Sequence, residues 1–377
     1  MNDKILLRKP SVGEREMKRV VSALDSGWVA PAGPDLNAFE AELAQVLNVE
    51  EENVLCLSSG TAALHLGLLE LGVQPGDDVV VQTATFAATA FSVVHAGANP
   101  VFIDVDRHTG NLCPERLEEF LQKRAASNNL PAAVVPVDLF GYSADYDAIN
   151  RVSAQWDVPV LQDAAEALGT SGQGAAAATH ADLGVLSFNG NKIITTSGGG
   201  ALVGDPQMLD HARKLSTQAR DDETWYEHTE IGFNYRMSNV LAALGRAQLE
   251  RLPDFIDRRR HAHGFYINNL PEVEWFPTGV TQTWNHWLSV ALLPTRVDAI
   301  VVCREMQRHG IEARPYWKPM HLQPVFANNE AVGGEVSEEF FDRGICLPSG
   351  VELGVDELER VVNVLRSLLD ETMLATA

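Results

Sequence analysis

The 377-residue chain has only four cysteines, Cys56, Cys113, Cys303 and Cys346, scattered through apolar stretches with no CxxC spacing. This pattern argues against a disulfide framework or a zinc site and reads as buried thiols in a reducing compartment; no metal is expected. Positive charge is also short: 29 Lys and Arg stand against 51 Asp and Glu, a formal net charge of −22. Nucleic acid and anionic membranes are therefore poor partners, because both need Lys and Arg to neutralise phosphate. A small anionic substrate is not excluded, since a local cluster of donors acts against the global sign. No run of about 18 apolar residues occurs, so no membrane span is expected. Residues 1–10 carry charge without an apolar h-region, so no signal peptide is read and a cytoplasmic location is expected. Neither GxxxxGK[ST] nor GxGxxG appears.

What is present is ordinary for a globular protein, with 45% hydrophobic and 21% charged residues. From about residue 53 to 215, short Val- and Ile-rich runs alternate with helical patterns. Segments 53–57, 79–82, 100–105, 132–138, 158–162 and 183–188 are expected as buried strands, and 114–124 and 144–156 as helices. That rhythm predicts a mostly parallel sheet with helices on both faces. A long helical stretch over 238–270 follows, then a strand at 287–293, a helix at 297–309, a loop rich in proline and aromatics, and a final helix at 356–369. A domain boundary is placed at 245–260, giving a large domain over 1–250 and a small one over 251–377.

Three features could carry chemistry. The strand at 53–57 runs through Ser58-Ser59-Gly60-Thr61 into a helical segment at 62–71. Free N–H groups and the positive end of a helix dipole converge at such a turn, so it can hold a phosphate, although an ordinary helix cap looks the same. The second feature is a lysine. The chain has seven, and Lys192 sits alone in LGVLSFNGNKIITTSGGGALVG, residues 183–204, with no other charged residue. An ammonium there must be paired, solvated or neutral, and a lysine that gives up its proton is a nucleophile toward carbonyls; an exposed hairpin turn is the alternative. The third is Asp163, at the end of the apolar run 158–162, where carboxylates line the ligand crevice of open α/β sheets. An amine, a carboxylate and a phosphate turn are together the parts that hold pyridoxal phosphate.

SSGTAALHL at 58–66, DAAEALG at 163–169, SFNGNKIITTSGGG at 187–200 and GFNYRMSNVLAALG at 232–245 resemble, in order and spacing, the DegT/DnrJ/StrS family of nucleotide-sugar aminotransferases. The resemblance runs from about Ser26 to the C-terminus. It is closest to the branch that aminates C4 of UDP-linked 4-keto-6-deoxy-N-acetylhexosamines. It implies an α/β, aspartate-aminotransferase-like fold (fold type I), with a large domain, an N-terminal arm and a smaller C-terminal α/β domain. It further implies pyridoxal 5′-phosphate as cofactor, L-glutamate as amino donor, and a homodimer with shared active sites.

Residue by residue, the resemblance makes Lys192 the covalent and proton-shuttling residue and Asp163 the partner of the pyridine nitrogen. Gly60, Thr61 and Ser187 would bind the phosphate, and Phe86 would stack on the ring. Glu166 would lie near the ring oxygen, where glutamine or histidine is commoner in the family. Asn234 would reach the neighbouring subunit's cofactor. Arg236, Arg314, Trp317, Lys318 and His321 would serve the substrate. A nicotinamide oxidoreductase would fit the strand and helix rhythm but lacks its glycine fingerprint. A non-catalytic relative would not need Lys192 and Asp163 together, and family dehydratases carry histidine in place of the lysine. A dTDP- or GDP-linked sugar is the alternative substrate.

Overall fold

The computed structural model describes residues 4–277 and 283–375. Its larger part is built on two four-stranded sheets joined edge to edge. One runs Ala331–Val332, Asn99–Ile103, Asp78–Gln82, Ala133–Val135, with every pair parallel. The other runs Leu161–Asp163, Leu183–Ser187, Gly200–Gly204, Val54–Leu57, parallel at the first pair and antiparallel at the next two. Parallel bridges Val134↔Val160 and Val137↔Asp163 connect them. These strands are buried on both faces, which explains their uninterrupted apolar sequences. The helix Gly60–Glu70 is apolar on nearly every side and lies buried against the strands Leu183–Ser187 and Gly200–Gly204.

A second, antiparallel sheet has the order Glu274–Phe276, Ser289–Leu292, Gly344–Leu347, Arg314–Pro315. The helices Leu252–Asn269, Ala299–Arg308 and Val355–Ala375 close a separate core with it, through Tyr266, Val302, Met306, Leu358 and Leu365. Two segments of the chain are seated on the part they do not otherwise belong to. Near the N-terminus, Ile5 pairs with Ile311, and Ile5 belongs to the smaller core. In the other direction, Met320 and Phe326 enter the core of the larger part and Ala331–Val332 adds to its sheet. A single cut at residue 250 thus leaves an N-terminal arm and the 320–332 segment on the opposite sides.

The helical stretch expected over 238–270 is two helices, Asn239–Leu249 and Leu252–Asn269. Ser238 caps the first by accepting a hydrogen bond from the Leu241 N–H. Pro253, in the first turn of the second helix, has no N–H to continue the first and would collide with its last carbonyls. No helix among the described residues is long and apolar enough to cross a membrane.

Candidate active site

The carboxyl ends of the central strands open into one cleft of about 630 Å³, a size usual for small-molecule sites. Leu57, Gln82, Asp163 and Ser187 end their strands there. Parallel strands direct all their carboxyl ends to one side, so residues far apart in sequence meet at that edge.

The turn at 58–61 leads from a strand into a helix, as expected. Ser59 caps the helix Gly60–Glu70, its hydroxyl accepting from Ala62 N–H at 3.0 Å. The Gly60 and Thr61 N–H groups, in the first helical turn, have no intrahelical acceptor and face the cleft that both residues line. Glycine at 60 is required by its neighbour, since a Cβ there would stand 2.9 Å from Ser187 Cβ. Gly200 permits the same close packing from below, where a Cβ would lie 2.5 Å from the Gly60 nitrogen.

Asp163 is buried beneath the cleft. Its carboxylate accepts from the Thr89 hydroxyl at 2.7 Å and the Ala165 N–H at 3.1 Å. Burial pushes its pKa up, while Thr89, Ala165 and the Lys192 charge act against that shift. The Thr89 hydroxyl also lies 2.7 Å from Thr85 Oγ1. Because Thr89 has one proton, which goes to the ionised carboxylate, Thr85 supplies its own to Thr89 in a short relay.

Lys192 Nζ lies 3.2 Å from Glu166 Oε1 and 4.6 Å from the Trp287 ring centroid. The side chains of Lys192 and Glu166 are 10% and 4% exposed, so this ion pair is largely shielded from water. The other Glu166 oxygen accepts from Phe140 N–H at 2.7 Å, which fixes the carboxylate beside the amine. The loop bearing Lys192 is closed by Phe188 N–H to the Gly199 carbonyl and Thr196 N–H to the Phe188 carbonyl.

Of the residues singled out from the sequence, Gly60, Thr61, Phe86, Asp163, Glu166, Ser187, Lys192, Arg314 and Trp317 line this cleft. Four others do not. Arg236 was expected on the substrate side, but its guanidinium donates to both Glu40 oxygens, at 2.5 and 3.0 Å, and to the Cys56 carbonyl. This buried pair takes Arg236 away from the cleft. His321 is likewise committed elsewhere, bonded to the Thr83 hydroxyl and at 3.0 Å to Glu338. Lys318 lies half-buried outside the lining. Asn234 is exposed on the segment bridged to Thr217, also away from this chain's cleft.

The cleft also contains residues that sequence reasoning passed over: Arg8, Thr85, Thr89, Trp287 and Glu312. The TAT at 83–85 gave no sign of a relay to Asp163, and Arg8 lies almost at the start of the chain.

A shielded amine beside Glu166, a buried carboxylate and a turn of free N–H groups, around a space of this size, fit pyridoxal phosphate. The polar ends of that molecule are matched one by one. Comparison with known proteins agrees. Residues 10–366 match the DegT/DnrJ/EryC1/StrS aminotransferase family, a match that begins earlier than the resemblance noted from Ser26. EpsN of Bacillus subtilis (strain 168), provisionally named a pyridoxal phosphate-dependent aminotransferase, is 42% identical over 98% of this chain and 96% of its own. A GDP-perosamine synthase of Caulobacter vibrioides is 33% identical over 97% of this chain and 98% of its own. The aminotransferase TlmJ of Streptoalloteichus hindustanus superimposes with a TM-score of 0.88 at 30% identity, covering 97% of this chain and 99% of that one.

Proposed function

Since the chain belongs to the DegT/DnrJ/EryC1/StrS aminotransferase family, and so is a pyridoxal phosphate-dependent sugar aminotransferase with the type I fold, we propose its substrates. It takes an amino group from L-glutamate and delivers it to the C4 keto group of a UDP-linked 4-keto-6-deoxy-N-acetylhexosamine. The observation that carries amino transfer rather than dehydration is Lys192, an amine ion-paired inside the cleft that also holds Asp163. For the sugar, support comes from the FNGNKIITTSGGG form around Lys192, and from Arg314 and Trp317 on the cleft wall.

Pyridoxal phosphate, when bound, supplies an aldehyde for the amine and a ring that accepts the electrons of a broken Cα–H bond. The chain's own residues do the rest. Gly60 and Thr61 N–H groups and the Ser187 hydroxyl bind the phosphate, and Phe86 covers the ring. Asp163 would pair with the ring nitrogen, and the Thr89 hydrogen bond favours the ionised form of that carboxylate against the effect of burial. Lys192 Nζ would hold and move the proton taken from the donor's Cα. Glu166 holds that amine in place and provides a counter-charge whenever it is protonated. Arg314 meets the diphosphate at the mouth, since charge-assisted hydrogen bonds act locally despite the net charge of −22. Nucleotide binding then positions the distant C4 carbonyl.

A homodimer completes the site. Trp225, Tyr226 and Ile231, close in sequence to Asn234, are 59%, 82% and 89% exposed, large apolar side chains that a partner surface would cover. A second copy would cover them and receive Asn234 at its cofactor phosphate, and the mass of the native protein in sedimentation checks this. The enzyme works in the cytoplasm on this reading.

The deciding experiment follows single-turnover decay of the aminated protein with UDP-, dTDP- and GDP-linked 4-keto sugars side by side. Fastest decay with the UDP-linked acetamido sugar is expected. Preference for a GDP-linked sugar, the nucleotide in the name of the GDP-perosamine synthase relative, or for a dTDP-linked one, overturns the substrate and leaves amino transfer standing.

A further inference from the structure

The N-terminal arm is pinned along the smaller sheet. Ile5 N–H donates to Gly310 O at 2.9 Å, Glu312 N–H to Ile5 O at 2.8 Å, and Ser349 N–H to Leu7 O at 2.8 Å. Leu7 N–H reaches Glu312 Oε2 at 3.3 Å. Held this way, the next residue, Arg8, enters the cleft. Its guanidinium carbon lies 4.7 Å from the Trp287 ring centroid and 5.8 Å from that of Trp317.

This cation is incompletely satisfied. Arg8 Nη1 is buried with no hydrogen-bond partner among the described residues. The nearby carboxylates are engaged elsewhere: Glu166 by Phe140 and Lys192, Glu312 by Leu7 and Arg314. Burial lowers the Arg8 pKa, and the charges of Glu166 and Glu312 oppose that shift. A buried donor left unused is costly, and a guanidinium lying over indoles in a ligand cleft is shaped for a planar anion.

Which anion follows from position. Lys192 Nζ lies 4.6 Å from the same Trp287 centroid, so it and the Arg8 Cζ cannot be further apart than the sum of the two distances, 9.3 Å. In an amino acid whose nitrogen sits at the reacting end of Lys192, the α-carboxylate carbon is two bonds away, about 2.5 Å. A guanidinium gripping that carboxylate adds about 4 Å between the two carbons, well within the limit. A sugar diphosphate needs a wider approach, and Arg314 already offers one at the mouth, with a side chain 56% exposed.

We propose that Arg8 binds a carboxylate of the amino donor, so that the N-terminal arm carries donor recognition. This rests on the amino-transfer reading above. Arg8→Gln and Arg8→Lys, loaded with pyridoxal phosphate, are compared with the wild type in the two half-reactions. Arg8→Gln should raise the L-glutamate concentration for half-maximal amination about ten- to a hundredfold, with Arg8→Lys between. Decay of the aminated protein with the keto sugar should stay within about twofold. Equal loss in both halves, or loss with the keto sugar alone, overturns the assignment.

Glutarate binding, followed by calorimetry, separates the two ideas because it needs no turnover. Glutarate should bind the wild type and not Arg8→Gln. Equal binding to both overturns the role of Arg8 while amino transfer stands. Arg8-dependent glutarate binding by a wild type that transfers nothing overturns the functional reading alone.

Discussion

Thr89→Val tests the electrostatics beneath the cofactor most directly. Valine keeps the shape of threonine, so no cavity opens, but Asp163 loses the 2.7 Å hydrogen bond that opposes the effect of burial. A hydrogen bond to a charged acceptor is worth about 1.5–3 kcal/mol. At about 1.4 kcal/mol per tenfold, the ionised carboxylate becomes ten- to about a hundredfold harder to maintain. The Asp163 pKa therefore rises further. In the apoprotein no ring nitrogen is present to offset this, so pyridoxal phosphate binding reports it. Dissociation constants are measured across pH for apo wild type, Thr89→Val and Thr89→Ser. Their ratios cancel the cofactor's own titration, which all three share. Thr89→Val should bind more weakly on the acid side, by up to the factor above, and its curve should turn at higher pH. Thr89→Ser, which keeps the hydroxyl, should follow the wild type. Superimposed wild-type and valine curves would refute the relay through Thr89.

Two further outcomes concern stability. Burial raises the Asp138 carboxyl to about 7, so the native state holds a proton that the unfolded chain releases near pH 4. That contribution is complete below about pH 4 and disappears as pH rises through about 7. The difference in unfolding midpoint between wild type and Asp138→Asn should therefore move against the wild type from about pH 5 to about pH 8, and a flat difference would contradict it. Arg236→Met leaves Glu40 buried with only Arg213, at 3.4 Å, and the Cys56 N–H. Breaking a buried pair costs about 3–5 kcal/mol, so its denaturation midpoint should fall sharply; unchanged stability with weakened keto-sugar binding would return Arg236 to the substrate side.

The sheet was legible because strands buried on both faces must be apolar throughout, as in Val79, Val80 and Val81, all fully buried. Lys192 was legible because nothing charged surrounds it in sequence. Both signals are local. The ion pairs of Arg236 and His321 were not legible because a sequence shows a cation without showing its partner, and Glu40 lies 196 positions from Arg236. The small terminal strands, the break at Pro253 and the return of residues 320–332 to the larger sheet depend on tertiary packing. Thr89 was missed for the same reason, since its role exists only through Asp163, 74 positions away.

The pinned arm also bears on how the molecule comes into being. Leu7 bonds to a side chain 305 positions later, and Ser349 holds the same residue from still further along. The entropy of closing so long a loop grows only slowly with length, about 0.6 kcal/mol per doubling, so the contact is affordable once its seat exists. During synthesis the seat does not exist until residues 310–312 and 349 have been made, whereas the phosphate turn, Asp163 and Lys192 come from the first 200 residues. The groups at the cofactor end of the cleft are thus synthesised well before the seat that holds the arm. Arg8 therefore joins the cleft only after the chain has been made almost to its C-terminal helix, later than the residues it stands beside.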